Sequence, residues 1–203
     1  MRNRFGLLFS ALMTAALLQP AAATEVTNET FRCLNDMTPV RHFYVDNLLG
    51  NIAETVAVAN SANGGTYPEG AVVQLVPAEA MVKREAGFNP ATNDWEFFEL
   101  NVSSEGTTIG KRGFAEVVNR FGGNCFACHV QAEPQWDLIC DNNHGCEPIP
   151  LSRGMISAIQ KTDPRCEPTQ LSAEDNANLK ALQAAMAANY RVCLICAYVS
   201  IGH

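Results

Sequence analysis

Val45, Leu48, Leu49, Ile52, Val56 and Ala59 recur three or four residues apart, the spacing of one buried helical face. Thr38-Pro39 ahead of them supplies an N-cap and a first-turn proline, so the pattern predicts a helix starting there. Asn60 to Gly65 reads as a turn. After the Pro68-Glu69-Gly70 turn, Ala71 to Val76 reads as a strand. Trp95 to Val102 alternates, with Phe98, Leu100 and Val102 on one face and Trp95, Phe97 and Glu99 on the other. Thr107 to Ile109 predicts a short third strand, and Phe114 to Phe121 one or two helical turns ended by Gly122-Gly123. Glu133 to Pro168 is rich in Pro, Asn, Gly and Cys and predicts an ordered loop region stapled by disulfides. The clearest helix comes last. Ser172 and Asp175 have capping-box spacing, Leu179, Leu182, Ala185 and Met186 form a stripe, and an Ala-rich stretch runs to Tyr190. The whole predicts an α+β fold, an antiparallel β-sheet with flanking helices.

Arg2 and Arg4, an apolar run from Phe5 to Leu18 and Ala21-Ala22-Ala23 have the form of a secretory signal cleaved after Ala23. The run is short for a membrane span. Residues 24–203 then form a single domain, with no membrane span after cleavage. Its core is expected over about 40–140, and a disulfide-rich helical tail over 141–203. The formal charge of −7 becomes −9 when Arg2 and Arg4 are lost. No basic cluster is present, which argues against nucleic acid as a partner.

Cys125-Phe126-Ala127-Cys128-His129 is a C-x-x-C-H motif, the attachment signature of haem c. Two thiols at this spacing reach the two vinyl groups of one porphyrin, and the imidazole that follows is placed to bind its iron. A redox C-x-x-C and a zinc half-site are the other readings. Export and haem attachment both point to the bacterial periplasm. Of the eight cysteines, six lie outside the motif: Cys33, Cys140, Cys146, Cys166, Cys193 and Cys196. In an oxidising compartment they predict up to three disulfides, in any of fifteen connectivities. Cys140 and Cys146 are close enough to clip a local loop. Cys193 and Cys196 form a second C-x-x-C without a following histidine and read as disulfide partners.

Four segments together resemble the cytochrome P-460 and cytochrome c′-β family, over about a third of the chain. They are Tyr67 to Val73, Glu79 to Lys83, Trp95-Glu96-Phe97-Phe98, and the haem motif followed by Asp137-Leu138-Ile139. The resemblance implies a compact β-sheet domain, commonly a homodimer, with one haem c, a proximal histidine and an often open distal site. In some members a lysine is bonded to the porphyrin and hydroxylamine is oxidised; others bind nitric oxide. Here the position of that lysine, five residues past Gly70, is Leu75, and no lysine lies between Gly70 and Pro77. No lysine–haem bond is therefore expected.

His129 is the expected iron ligand. Met81, Met155, Met186, His42, His144 and His203 are the candidates for the opposite side. Without one of them, the resemblance implies an apolar distal pocket, with Phe97 and Phe98 on the strand facing the haem. Glu96 or Glu99 is a candidate proton donor, and Arg112 a partner for a haem propionate. Three functions follow: binding a diatomic gas or passing single electrons at an open iron, electron transfer at a His/Met iron, or enzymatic redox chemistry on small nitrogen compounds. The corresponding partners are a small gaseous ligand or a redox protein.

Overall fold

The computed structural model describes residues 25–120 and 122–199, with side chains to residue 187. The expected signal segment and His203 lie outside the described residues. So do the side chains of Cys193 and Cys196.

The architecture is α+β, built on one six-stranded antiparallel meander in the order β1-β2-β3-β4-β5-β6. The strands are β1 (Thr38–Val40), β2 (Phe43–Asn47), β3 (Ala71–Val76), β4 (Glu79–Lys83), β5 (Trp95–Ser103) and β6 (Gly106–Gly113). Four α-helices accompany them among the described residues: α1 (Ile52–Ala59), α2 (Cys125–His129), α3 (Arg153–Lys161) and α4 (Ala173–Val199).

The helix expected from Thr38 is instead the hairpin β1–β2 followed by the shorter α1. Phe43, Val45 and Asn47 are buried while Tyr44 and Asp46 are less so, a period-two pattern over a β-branched and aromatic run. The apolar spacing of Val45 and Leu48 had overlapped with the true helical stripe, which begins at Ile52. Asn47 makes the transition. Its Oδ1 accepts from Leu49 N at 2.8 Å and Asn51 N at 3.1 Å, and its Nδ2 donates to Thr55 Oγ1 at 3.1 Å.

Both faces of the sheet are covered, so four consecutive residues of β3, Ala71 to Gln74, are buried. On the front face Phe43, Val45, Val73, Met81, Trp95 and Phe97 pack with Ala59 of α1 and with Tyr67, Leu138 and Ile139. On the back face Val72, Val82, Phe98 and Leu100 pack under the N-terminal segment through Val26, Phe31, Leu34 and Met37. The expected face assignment of Trp95 and Phe97 against Phe98 and Leu100 matches this division. β6 is longer than the three residues expected, and a register shift between Glu99 and Leu100 interrupts its pairing with β5.

The region 114–120 contains no helix; Val118 forms a bridge with Asn124. Within 133–168 lies α3, which composition had hidden. Ser152 Oγ caps it by accepting from Met155 N at 3.2 Å. Gln160 Nε2 ties α3 to the sheet by donating to the carbonyls of His42 and Leu75, both at 2.7 Å. The capping box of α4 forms as expected, Asp175 N donating to Ser172 Oγ at 3.0 Å and Ser172 N to Asp175 Oδ2 at 2.9 Å.

Among the described side chains, two disulfides join Cys33 to Cys166 and Cys140 to Cys146. The first closes a sequence separation of 133 residues. It pins the N-terminal segment beside Asp163, whose carboxylate accepts from Leu34 N at 3.0 Å and pairs with Arg165 at 2.8 Å. By loop-closure entropy its removal costs up to about 5 kcal/mol. Cys33→Ser/Cys166→Ser is therefore expected to melt about 10–20 °C lower than the parent by calorimetry.

Candidate haem-attachment site

The motif is a one-turn helix laid against the front face. Asn124 starts it, accepting from Ala127 N at 2.8 Å through Oδ1. The same amide donates to the carbonyls of Ala115 at 2.9 Å and Phe114 at 3.1 Å, and Cys125 N donates to Val117 O at 3.1 Å. Helical spacing puts Cys125, Cys128 and His129 on adjoining turns of one side. Cys125 and Cys128 are free thiols, whereas the four other cysteines with described side chains are oxidised in pairs.

His129 is oriented by a backbone carbonyl. Its Nδ1 lies 2.7 Å from Leu138 O. A carbonyl oxygen only accepts, so Nδ1 carries the proton and Nε2 keeps its lone pair. Burial lowers the pKa of the imidazole, outweighing the Leu138 bond that raises it, and so favours the neutral, ligating form. Phe97 lies against this ring, centroids 5.4 Å apart, and 6.2 Å from Phe126. Phe126 in turn meets Phe114 edge-on at 6.0 Å. Phe114 is 42% exposed and Val130 50%, giving apolar surface beside the thiols.

The Leu138 carbonyl has its own support. Asp137 and Leu138 both have left-handed backbones, with φ of 49° and 63°, a conformation that L side chains enter at a cost. The Asp137 carboxylate accepts two bonds from Lys83 Nζ at 2.8 and 2.9 Å, one from Tyr67 N at 2.9 Å and one from Asn93 Nδ2 at 3.3 Å. Its backbone carbonyl accepts from Trp95 Nε1 at 2.8 Å. Lys83 and Asp137 are 6% and 4% exposed. At that depth, removing one partner alone costs about 3–5 kcal/mol, because the other charge is stranded.

Cys125 sits near a cross-strand pair of carboxylates, Glu79 and Glu99, which face each other between β4 and β5. Burial, then the charges of Glu79, Cys128 and Glu99, push its thiol up to about 12. Burial also raises Glu79, against the opposing influence of Arg120.

Other expected site residues are elsewhere. Phe98 is on the back face, 5.0 Å from Phe31. Arg112 is there too, locked on Glu96 by bonds of 2.6 and 2.9 Å with its guanidinium over Phe98. Glu96 also holds Arg84. The motif is thus separated by the sheet from Phe98, Arg112 and Glu96, because neighbouring strand residues point to opposite sides. Met81 is buried in the front core opposite Phe97. His144 stacks on Trp136 at 3.8 Å and is bonded through Nδ1 to Ile139 O at 2.6 Å. His42 Nε2 lies 3.6 Å from Asp141. Sequence reading missed the roles of Asn124, Asp137 and Leu138. Asn ahead of a short helix is an N-cap signal; a carbonyl acceptor has no signature at all.

Among the described residues, no three His, Cys, Asp or Glu side chains form a group that could hold a metal ion. No helix among the described residues is long and apolar enough to cross a membrane. Comparison with family models, curated proteins and solved structures finds no significant match.

The raised Cys125 thiol and the exposed Cys128 generate a kinetic expectation. In haem-free protein at pH 8, iodoacetamide should modify Cys128 well before Cys125. Cys125 should catch up only as pH rises toward 12, as followed by peptide mass.

Proposed function

We propose that the chain is an exported monohaem c-type cytochrome of P-460-like character. It would carry haem c on Cys125 and Cys128, with His129 as proximal ligand and an open opposite side. The observation carrying this reading is the pairing of two reduced thiols with an imidazole whose Nδ1 proton is already spent on Leu138 O. When bound, haem supplies an iron that exchanges single electrons and takes up a diatomic molecule such as nitric oxide.

The protein's own residues have separate duties. Cys125 and Cys128 fix the macrocycle. His129 presents Nε2 to the iron. Phe114, Phe126 and Val130 offer it apolar surface and exclude water. His144 is held on Trp136 and Met81 lies within the core, which supports a five-coordinate iron over a His/Met one. The amine of Lys83 is taken by Asp137, which supports a haem without a lysine bond.

The rival thiol–disulfide reading is disfavoured by two observations. The sheet is antiparallel throughout, unlike a βαβ redox fold. A catalytic C-x-x-C also needs a depressed thiol pKa, and burial drives Cys125 the opposite way. Glu79 and Glu99 favour a second reading, a haem oxidoreductase acting on small nitrogen compounds, since a carboxyl with raised pKa can deliver a proton.

Protein matured with the c-type assembly machinery should gain the mass of one haem and give a haemochrome spectrum. Cys125→Ser/Cys128→Ser should abolish both. The ferric protein should be high-spin at neutral pH and the ferrous protein should bind nitric oxide. A colourless product, or a purely low-spin ferric iron, would sink the attachment and the open site respectively. On the enzymatic reading, Glu79→Gln should slow hydroxylamine or nitric oxide turnover at least tenfold while leaving gas affinity unchanged; absence of turnover removes that reading.

A further inference from the structure

We infer that Asp137 is a positioning residue for the iron: clamped by Lys83, Tyr67, Asn93 and Trp95, it aims the Leu138 carbonyl at His129 Nδ1 and thereby sets how strongly the imidazole binds the metal. The inference rests on the haem reading above and adds to it a determinant outside the motif.

The chain of contacts is continuous. β4 supplies Lys83 and β5 supplies Trp95, adjacent in register on the front face. Lys83 Nζ holds both carboxylate oxygens of Asp137 and Trp95 Nε1 holds its carbonyl, so the residue is gripped at both ends. Tyr67 N and Asn93 Nδ2 add further bonds to the carboxylate. Two consecutive non-glycine residues with positive φ do not persist unless their surroundings impose the conformation. The turn they make directs Leu138 O at the His129 ring, 2.7 Å away. Phe97 packs beside the ring, centroids 5.4 Å apart. A metal-bound imidazole that donates its second N–H to a firmly placed acceptor is more basic and better oriented than one that does not. Rigid placement of this acceptor therefore favours the ferric state. Loosening it should weaken the iron–nitrogen bond and raise the reduction potential.

The experiment uses the haem-loaded protein and the double variant Lys83→Met/Asp137→Asn. It leaves no stranded charge, and Asn tolerates the left-handed backbone. Haemochrome yield and attached mass in the parent and the variant report the haem reading by themselves. Midpoint potential and the iron–imidazole stretch in resonance Raman spectra of the ferrous protein report the positioning. The expected result is intact attachment with a more positive midpoint and a lower stretching frequency. Lys83→Arg alone, which keeps the pair, should leave both close to the parent.

Should the double variant fail to fold, Trp95→Phe keeps the ring bulk and removes only the bond to the Asp137 carbonyl. It should shift both readouts in the same direction by a smaller amount. Unchanged potential and unchanged stretch in a folded, haem-loaded variant would overturn the positioning role. Absence of haem from the parent would overturn the reading beneath it.

Discussion

A carboxylate sealed under a β-sheet has to be neutralised or bonded on every side, and Asp137 is bonded on every side. Its partners come from three separate parts of the chain: the loop before β3, β4, and the loop between β4 and β5. Satisfying one buried charge therefore brings those parts together in a single arrangement. The segment leaving the C-x-x-C-H motif is locked down as a consequence. Such a pair is poor value as a source of stability, since desolvation offsets most of its attraction. Its use here is geometric: it holds a backbone turn that apolar contacts alone would leave free to relax.

The sheet sorts chemistry from scaffolding. Its front carries the motif, Phe97, the Glu79–Glu99 pair and the Asp137 clamp. Its back carries the Arg84–Glu96–Arg112 cluster and the N-terminal segment. Glu96 and Phe97 are neighbours in sequence and face opposite sides of the sheet. Covering the back costs the chain a long-range disulfide. In return both faces of the central strands are dry, which stiffens the platform under His129.

Legibility in the sequence followed the range of each interaction. Local chemistry could be read directly: the alternation along Trp95 to Val102, the Ser172–Asp175 cap, the Cys140–Cys146 clip and the C-x-x-C-H motif. Errors arose where one residue pattern served two structures. Val45 and Leu48 fitted a helical stripe while the aromatic and β-branched run around them formed β2. α3 was masked by flanking Pro, Gly and Cys. The alternation along β5 separates Phe97 from Phe98, but the sequence does not say which face meets the motif; Phe98 and Arg112 lie on the other one. The Lys83–Asp137 contact joins residues 54 apart, and nothing in either residue's neighbourhood announces the other. The antiparallel α+β class was legible; the device behind His129 was not.

The two disulfides differ in what they ask of a chain that emerges from the ribosome amino end first. Cys140 meets Cys146 almost at once, six positions on. Cys33 must pass over Cys125, Cys128, Cys140 and Cys146 before Cys166 appears. Oxidation in order of synthesis would join Cys33 to Cys125, the next cysteine along the chain, rather than to Cys166. Reaching the native pairing therefore requires that Cys33 stay reduced, or that its bond be exchanged, until Cys166 has been made.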